Sequence, residues 1–230
     1  ISVPAGKSRI TFPLNINNDN IDEYNETLII NIIDSTVANA NTGPTRKHIL
    51  TIIDDDLPPS VEFLSSKTTV SESVGEHYLI LTLSNQSGKE ISVNYKVESH
   101  STAKFDQDYT IDSGTSFFPL GKTRDTLDIS IINDVIDEPS QTIVLSLNNP
   151  VNATIGLKST HTVKINDDDP PPYINIDNES GSGLESDSSQ FIAYSLSSYS
   201  EKEVSVKFRV STYGTTAKKK KDYLLENGKM

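Results

Sequence analysis

Cysteine is absent from this chain of 230 residues, which excludes disulfides and thiolate metal ligands together. Apolar residues are few, at 34%, and no run of them approaches the length of a membrane span. Basic residues are outnumbered, 20 Lys and Arg against 32 Asp and Glu, giving a formal charge of −12. That balance argues against a nucleic-acid partner and suits cation binding or solubility. Sustained helical periodicity is also missing. A chain of this kind must stabilise itself by core packing, by metal, or by both.

What is present is alternation. "HYLILTLS", "ISVNYKVE", "TLDISIIN", "TIVLSLNN" and "HTVKIND" each place apolar residues at every second position, the signature of a half-buried antiparallel strand. Stretches such as "SNQSGKE" and "DSGTS" read as turn-rich separators. The pattern also repeats. Pro4, Gly6, Lys7, Arg9, Asp19 and Glu23 match Pro119, Gly121, Lys122, Arg124, Asp134 and Glu138, all 115 residues apart. Asp54 to Asp56 match Asp167 to Asp169 at 113, Glu72 matches Glu185 at 113, and Asp108 matches Asp222 at 114. Drifts of one or two residues are those of loop insertions between homologous repeats. The period is too long for a solenoid unit and fits a complete small β-sandwich.

The expected architecture is therefore all-β: tandem immunoglobulin-like antiparallel sandwiches of about seven strands each. Residues 1–57 read as the later half of one sandwich, 58–170 as a whole one, and 171–230 as the early half of a third. A half-sandwich exposes a core face and unpaired edges. The sequence thus reads as a window on a longer tandem array or filament, its half-domains completed by a neighbouring copy or by further sequence of the same chain.

Acidic residues mark the strand ends. "IIDDDLPPSVEF" and "INDDDPPPYINI" both set three aspartates against prolines, and adjacent carboxylates repel unless a cation or solvent relieves them. In a sandwich, strand ends distant in sequence meet at one tip. Glu72, Asp108, Asp134, Glu138, Asp167, Asp168 and Asp169 would then gather there as hard oxygen ligands, in a number that suits Ca²⁺. The four histidines show no zinc-ligand spacing, and His48 and His161 fall at equivalent framework positions. The prolines that follow each aspartate run favour a stiff connector, so calcium at the tip would fix the angle between domains. No nucleophile elbow or phosphate loop is present, and the chain reads as a non-enzyme.

The stretch "FDQDYTIDSGTSFFPLGKTRDTLDISIINDVIDEPSQTIVLSLNNP…HTVKINDDDPP" resembles a Calx-β domain, the immunoglobulin-like module of sodium–calcium exchangers and of many surface adhesion proteins. The resemblance implies Ca²⁺ bound at the tip that carries the terminal aspartates. Carried across, it implies the same seven carboxylates in the complete repeat, with the carbonyl of Ile136. In the first segment it implies Asp19, Glu23, Glu26 and Asp54, Asp55 and Asp56, with the carbonyl of Ile21. In the third it implies Glu185 and Asp222. Asn133, Gln141 and Asn18 stand where calcium-binding exchanger domains carry carboxylates. Fewer charges lower affinity or ion number, so one or two ions per junction are expected, bound as in an extracellular module. The function implied is a calcium-stiffened structural or adhesive repeat at the cell surface or outside the cell. Its partners would be neighbouring copies, a surface protein or a polysaccharide, and the segment would not insert into a membrane. The alternative is the regulatory Ca²⁺ sensor of an exchanger-like transporter.

Overall fold

Alternation decides which residues can share an interior. In a computed structural model that describes residues 1–187, 189–225 and 228–229, the first segment pairs β1 (Glu26–Asn31) with β2 (Lys47–Ile52). The central segment follows with β3 (Ser60–Phe63), β4 (Lys67–Ser71), β5 (Glu76–Leu83), β6 (Ile91–Val97), β7 (Tyr109–Thr110), β8 (Gly114–Phe118), β9 (Arg124–Ile131), β10 (Gln141–Val151), β11 (Thr154–Ile155) and β12 (Thr160–Asn166). The third segment carries β13 (Ile174–Ile176), β14 (Tyr194–Leu196), β15 (Lys207–Phe208) and β16 (Gly228–Lys229). Met230, the last residue of that segment, lies outside the described residues.

The central strands form two five-stranded sheets, ordered β4-β12-β10-β6-β8 and β11-β3-β5-β9-β7. Pairing is antiparallel except at two places, where β12 runs parallel to β4 and β11 parallel to β3. Leu79 and Leu81 of β5, Ile129 and Ile131 of β9, Ile91 and Val93 of β6, and Ile143 and Leu145 of β10 all face inward and are buried. Each fully buried aliphatic side chain contributes about 1.5–3 kcal/mol of hydrophobic stabilisation. Phe63 lies in the same interior, with its ring centroid 5.4 Å from that of buried His161. His161 is satisfied at both nitrogens, by the Ser65 carbonyl (2.6 Å) and the Thr68 hydroxyl (2.9 Å), so it is a framework residue.

The structure adds strands in stretches with weak alternation. Gly114–Phe118, part of the stretch that reads as turn-rich, pairs along its length with β6. Gly114 fits there because the Tyr95 hydroxyl would lie 2.5 Å from any Cβ at that position.

The repeat seen in sequence recurs in local geometry. Gly6 and Gly121 have φ of 78° and 73°, and the carbonyls of Pro4 and Pro119 accept from Lys7 N (3.1 Å) and Lys122 N (3.0 Å). Both are turns that need a positive φ at the third position, which glycine adopts without strain. Nothing crowds a Cβ at Gly121, so Gly121→Ala should cost only the backbone strain. That cost is about 1 kcal/mol, read as a lower urea midpoint.

The flanking segments carry the same apolar code but leave it uncovered. Phe12, Leu14 and Ile16, which match Leu127, Ile129 and Ile131, are exposed. Ile192, which matches Leu79, is exposed as well. Among the described residues, their strand-like stretches lack the partners that cover the equivalent residues in the central sandwich.

Candidate metal centre

The end of the central sandwich where β4 and β12 finish collects acidic residues from several segments. Glu72 follows β4 in a single 3-10 turn, Glu72–Val74, and Gly75 ends the turn with a φ of 70°. Parallel pairing sets Asn166 beside Ser71, so the aspartates that continue β12 run alongside this turn. Ser71 and Ser73 donate their hydroxyls to Oδ2 of Asp168, at 2.7 and 2.5 Å. The loop after β9 is tied to the same turn: Asp134 N donates to Oε1 of Glu72 at 2.8 Å. Asp134 closes its own loop by accepting Ile136 N on Oδ1, at 2.7 Å, an aspartate turn of the usual kind.

Glu72, Asp134 and Asp169 are thereby brought into one group, in which one carboxylate oxygen of each lies within 4.8 Å of the others. Asp167 adjoins them. Its Oδ2 accepts Lys202 Nζ at 2.9 Å, whereas its Oδ1 and the Oδ2 of Asp169 are buried without a partner. The electrostatics follow from crowding. Burial, then the charges of Asp134, Asp169 and Asp167, raise the Glu72 carboxyl against the opposing backbone bond from Asp134. Burial, then Asp167, Asp168, Asp134 and Asp137, raise Asp169. Asp168 is held below the usual carboxylate range by the hydroxyls of Ser73 and Ser71.

Glu138 and Asp108 form the adjoining part. Both are buried. Lys104 N donates to Oδ2 of Asp108 at 2.5 Å, and Gln141 Nε2 donates to Oε2 of Glu138 at 2.8 Å. Burial, reinforced by Asp108, Glu201, Asp134 and Glu72, pushes the Glu138 carboxyl up to about 7. An all-oxygen cluster that resists its own ionisation, with two buried oxygens unpartnered, fits a hard divalent cation such as Ca²⁺.

The other expected ligands distribute unevenly. In the first segment Asp19 Oδ1 accepts Ile21 N at 2.9 Å, repeating the Asp134 turn. Burial, then Asp19, Glu26, Asp54 and Asp56, raise Glu23, and burial, then Asp54, Asp55, Asp19 and Asp22, raise Asp56. These first-segment carboxylates feel one another's charge, but Asp19, Glu23, Glu26 and Asp54 to Asp56 enter no metal grouping among the described residues. In the third segment Asp222 Oδ2 accepts Lys218 N at 2.8 Å, as Asp108 accepts Lys104 N, while Glu185 lies exposed on a loop. Neither Glu185 nor Asp222 enters a metal grouping among the described residues.

The expected ligand set also omits residues that the structure brings into play. Ser71 and Ser73 orient Asp168, and Lys202 reaches both Asp137 and Asp167. Lys202 carried a signal, since "SGKE" and "SEKE" recur 113 residues apart, but a lysine beside an acidic tip does not read as a ligand.

No curated protein matches the chain. Among solved structures, the chain is similar to the apo form of the Calx CBD1 domain, at 26% identity and a TM-score of 0.46, over 48% of this chain and 98% of that one. It is also similar to CBD12 from CALX1.2, at 26% identity and 0.45, over 48% of this chain and 44% of that one. The Calx CBD2 domain matches at 18% and 0.42, over 47% and 86%. The family model for the Calx-beta domain matches residues 3–56 and again residues 54–169. With two matches in tandem spanning most of its length, the chain belongs to the Calx-beta domain family.

Proposed function

We propose that this chain is a calcium-binding structural or adhesive repeat module of an extracellular tandem array or filament, and that Ca²⁺ at the sandwich tips stiffens the domain junctions. The observation that carries the reading is the meeting of Glu72, Asp134 and Asp169 beside the unpartnered oxygen of Asp167. A divalent cation would neutralise repulsion that the folded chain otherwise retains. Glu72, Asp134 and Asp169 would hold it, with Asp167, Asp108 and Glu138 as the surrounding negative charge. The ion would supply charge neutralisation and cross-linking of segments, not chemistry on a substrate, in keeping with a binding module. No helix among the described residues is long and apolar enough to cross a membrane.

The array reading draws on the uncovered faces of the outer segments. Leu14 and Ile16 on one side and Ile192 on the other occupy positions that the central sandwich buries. Neighbouring copies of the repeat would cover them. A regulatory sensor of the exchanger type is the second reading, favoured by the ion pair from Asp167 to Lys202, through which metal at the tip would alter an interdomain contact.

Calorimetric unfolding with calcium and then with excess chelator tests the proposal. Binding confined to the folded state stabilises it by about 2.7 kcal/mol at a hundredfold excess over the dissociation constant, and the melting temperature rises accordingly. Asp134→Asn should remove most of that rise. A melting temperature indifferent to calcium would leave the cluster as solvated turns.

A further inference from the structure

Two residues of the acidic loops stand outside the ligand set. Asp22 precedes Glu23 and Asp137 precedes Glu138, and both are buried although their loops are largely open. Each engages the segment that follows, at matching positions of the repeat. The carbonyl of Asp22 accepts Ser87 Oγ at 3.1 Å and Gly88 N at 3.0 Å, and its Oδ1 pairs with Lys89 Nζ at 2.7 Å. The carbonyl of Asp137 accepts Ser200 Oγ at 3.0 Å and Glu201 N at 3.0 Å, and its Oδ1 pairs with Lys202 Nζ at 2.5 Å. The receiving turn is organised in the same way each time. Lys89 N donates to Ser87 Oγ at 3.0 Å, and Lys202 N to Ser200 Oγ at 3.1 Å. Parallel backbone bridges, Asp22 with Ser87 and Asp137 with Ser200, complete the match.

The recurrence is independent evidence, because the two contacts form between different pairs of segments and share no residue. At the second joint both Asp137 oxygens are engaged, by Ser200 Oγ and Lys202 Nζ, while at the first Oδ2 of Asp22 is buried without a partner. Each joint still holds a carbonyl with two donors and a carboxylate paired with an ammonium, contacts that form without a metal. The first pair is well shielded, with Lys89 also lying over the ring of Tyr24 at 5.3 Å from its centroid. Shielding makes such a pair worth more than an exposed salt bridge.

We infer that Asp22 with Ser87–Lys89, and Asp137 with Ser200–Lys202, form a metal-independent latch that joins each Calx-beta repeat to the next. Its partner surface is the Ser-x-Lys turn of the following repeat. Calcium at the neighbouring carboxylates would then act on a joint already closed, and the latch stands whether or not the calcium reading does.

Backbone hydrogen exchange reads the latch directly, since the amides of Gly88 and Glu201 donate across the two junctions. In the 230-residue chain with excess chelator, both amides should exchange slowly. The double variant Ser200→Ala, Lys202→Met should speed exchange at Glu201 by about tenfold or more, as loss of a shielded hydrogen-bonded pair implies. Gly88 and the amides of β5 should stay as they were. Lys89→Met should do the converse, releasing Gly88 and sparing Glu201. Rapid exchange at both amides in chelator, slowed only by added calcium, would overturn the inference in favour of a metal-made joint. Loss of protection across β5 in either variant would overturn it too, because these residues would then be holding the sandwich and not the joint.

Discussion

Metal-free protein taken from pH 8 to pH 5 should gain stability toward urea through Glu138, by up to about 3 kcal/mol. The folded state raises this carboxyl to about 7 by burying it among Asp108, Glu201, Asp134 and Glu72, while in the unfolded chain it titrates near its ordinary value. Below that ordinary value both states are protonated and the group is silent. Between the two values the folded state holds the proton that the unfolded state has lost, so stability falls as pH rises. Above about 7 both are ionised and the penalty is complete. Groups such as Asp168 and Asp137, lowered by their hydroxyl and lysine partners, work the other way. The measurement is therefore a difference: the urea midpoint of the native chain against that of Glu138→Gln, at pH 5 and pH 8. The native chain should lose more between the two. Saturating calcium should shrink the difference, because the cation replaces the proton as the neutralising charge. Equal pH dependence in both proteins would show that Glu138 ionises as freely as in water.

Phe63→Ala should cost about 3–5 kcal/mol, enough to remove a large part of the stability of an ordinary domain. Phe63 is wholly buried and lies against His161 between the two sheets. Its removal leaves a cavity that the rigid strand backbones cannot close. Phe117→Ala is the control. Phe117 is 67% exposed, whereas its neighbour Phe118 is 1% exposed, and truncation of the outward ring should change stability by no more than about 0.5 kcal/mol. Chemical denaturation of the two variants separates interior packing from general loss of aromatic surface. Comparable costs would mean that the face of β8 had been assigned to the wrong side.

Much of the candidate site was legible because acidic residues in a repeating β pattern fall at strand ends, and strand ends of a sandwich share a tip. Glu72, Asp134 and Asp169 could be named from residue type and spacing alone. Their division of labour could not. Asp167, Asp168 and Asp169 are identical side chains in succession, and an extended backbone sends alternate ones to opposite sides. The pairing of β12 with β4 sets the phase, placing Asp168 against Ser71 and Ser73 and leaving Asp167 and Asp169 with buried, unpartnered oxygens. The role of Asp22 and Asp137 was hidden for a related reason. Nothing local distinguishes a carboxylate that faces a cation site from one that faces the lysine of the next repeat.

By itself the sequence determined the all-β class, the period near 115 residues and the inward set of each long strand, because these are properties of neighbouring positions and of spacing. Tertiary structure decided which inward sets are covered. Leu14 and Ile129 occupy the same place in the repeat, yet Leu14 is 44% exposed and Ile129 fully buried. The alternation is the same in both. Burial differs because β9 has β5 and β7 as neighbours and a second sheet beneath it, and those partners come from distant parts of the chain.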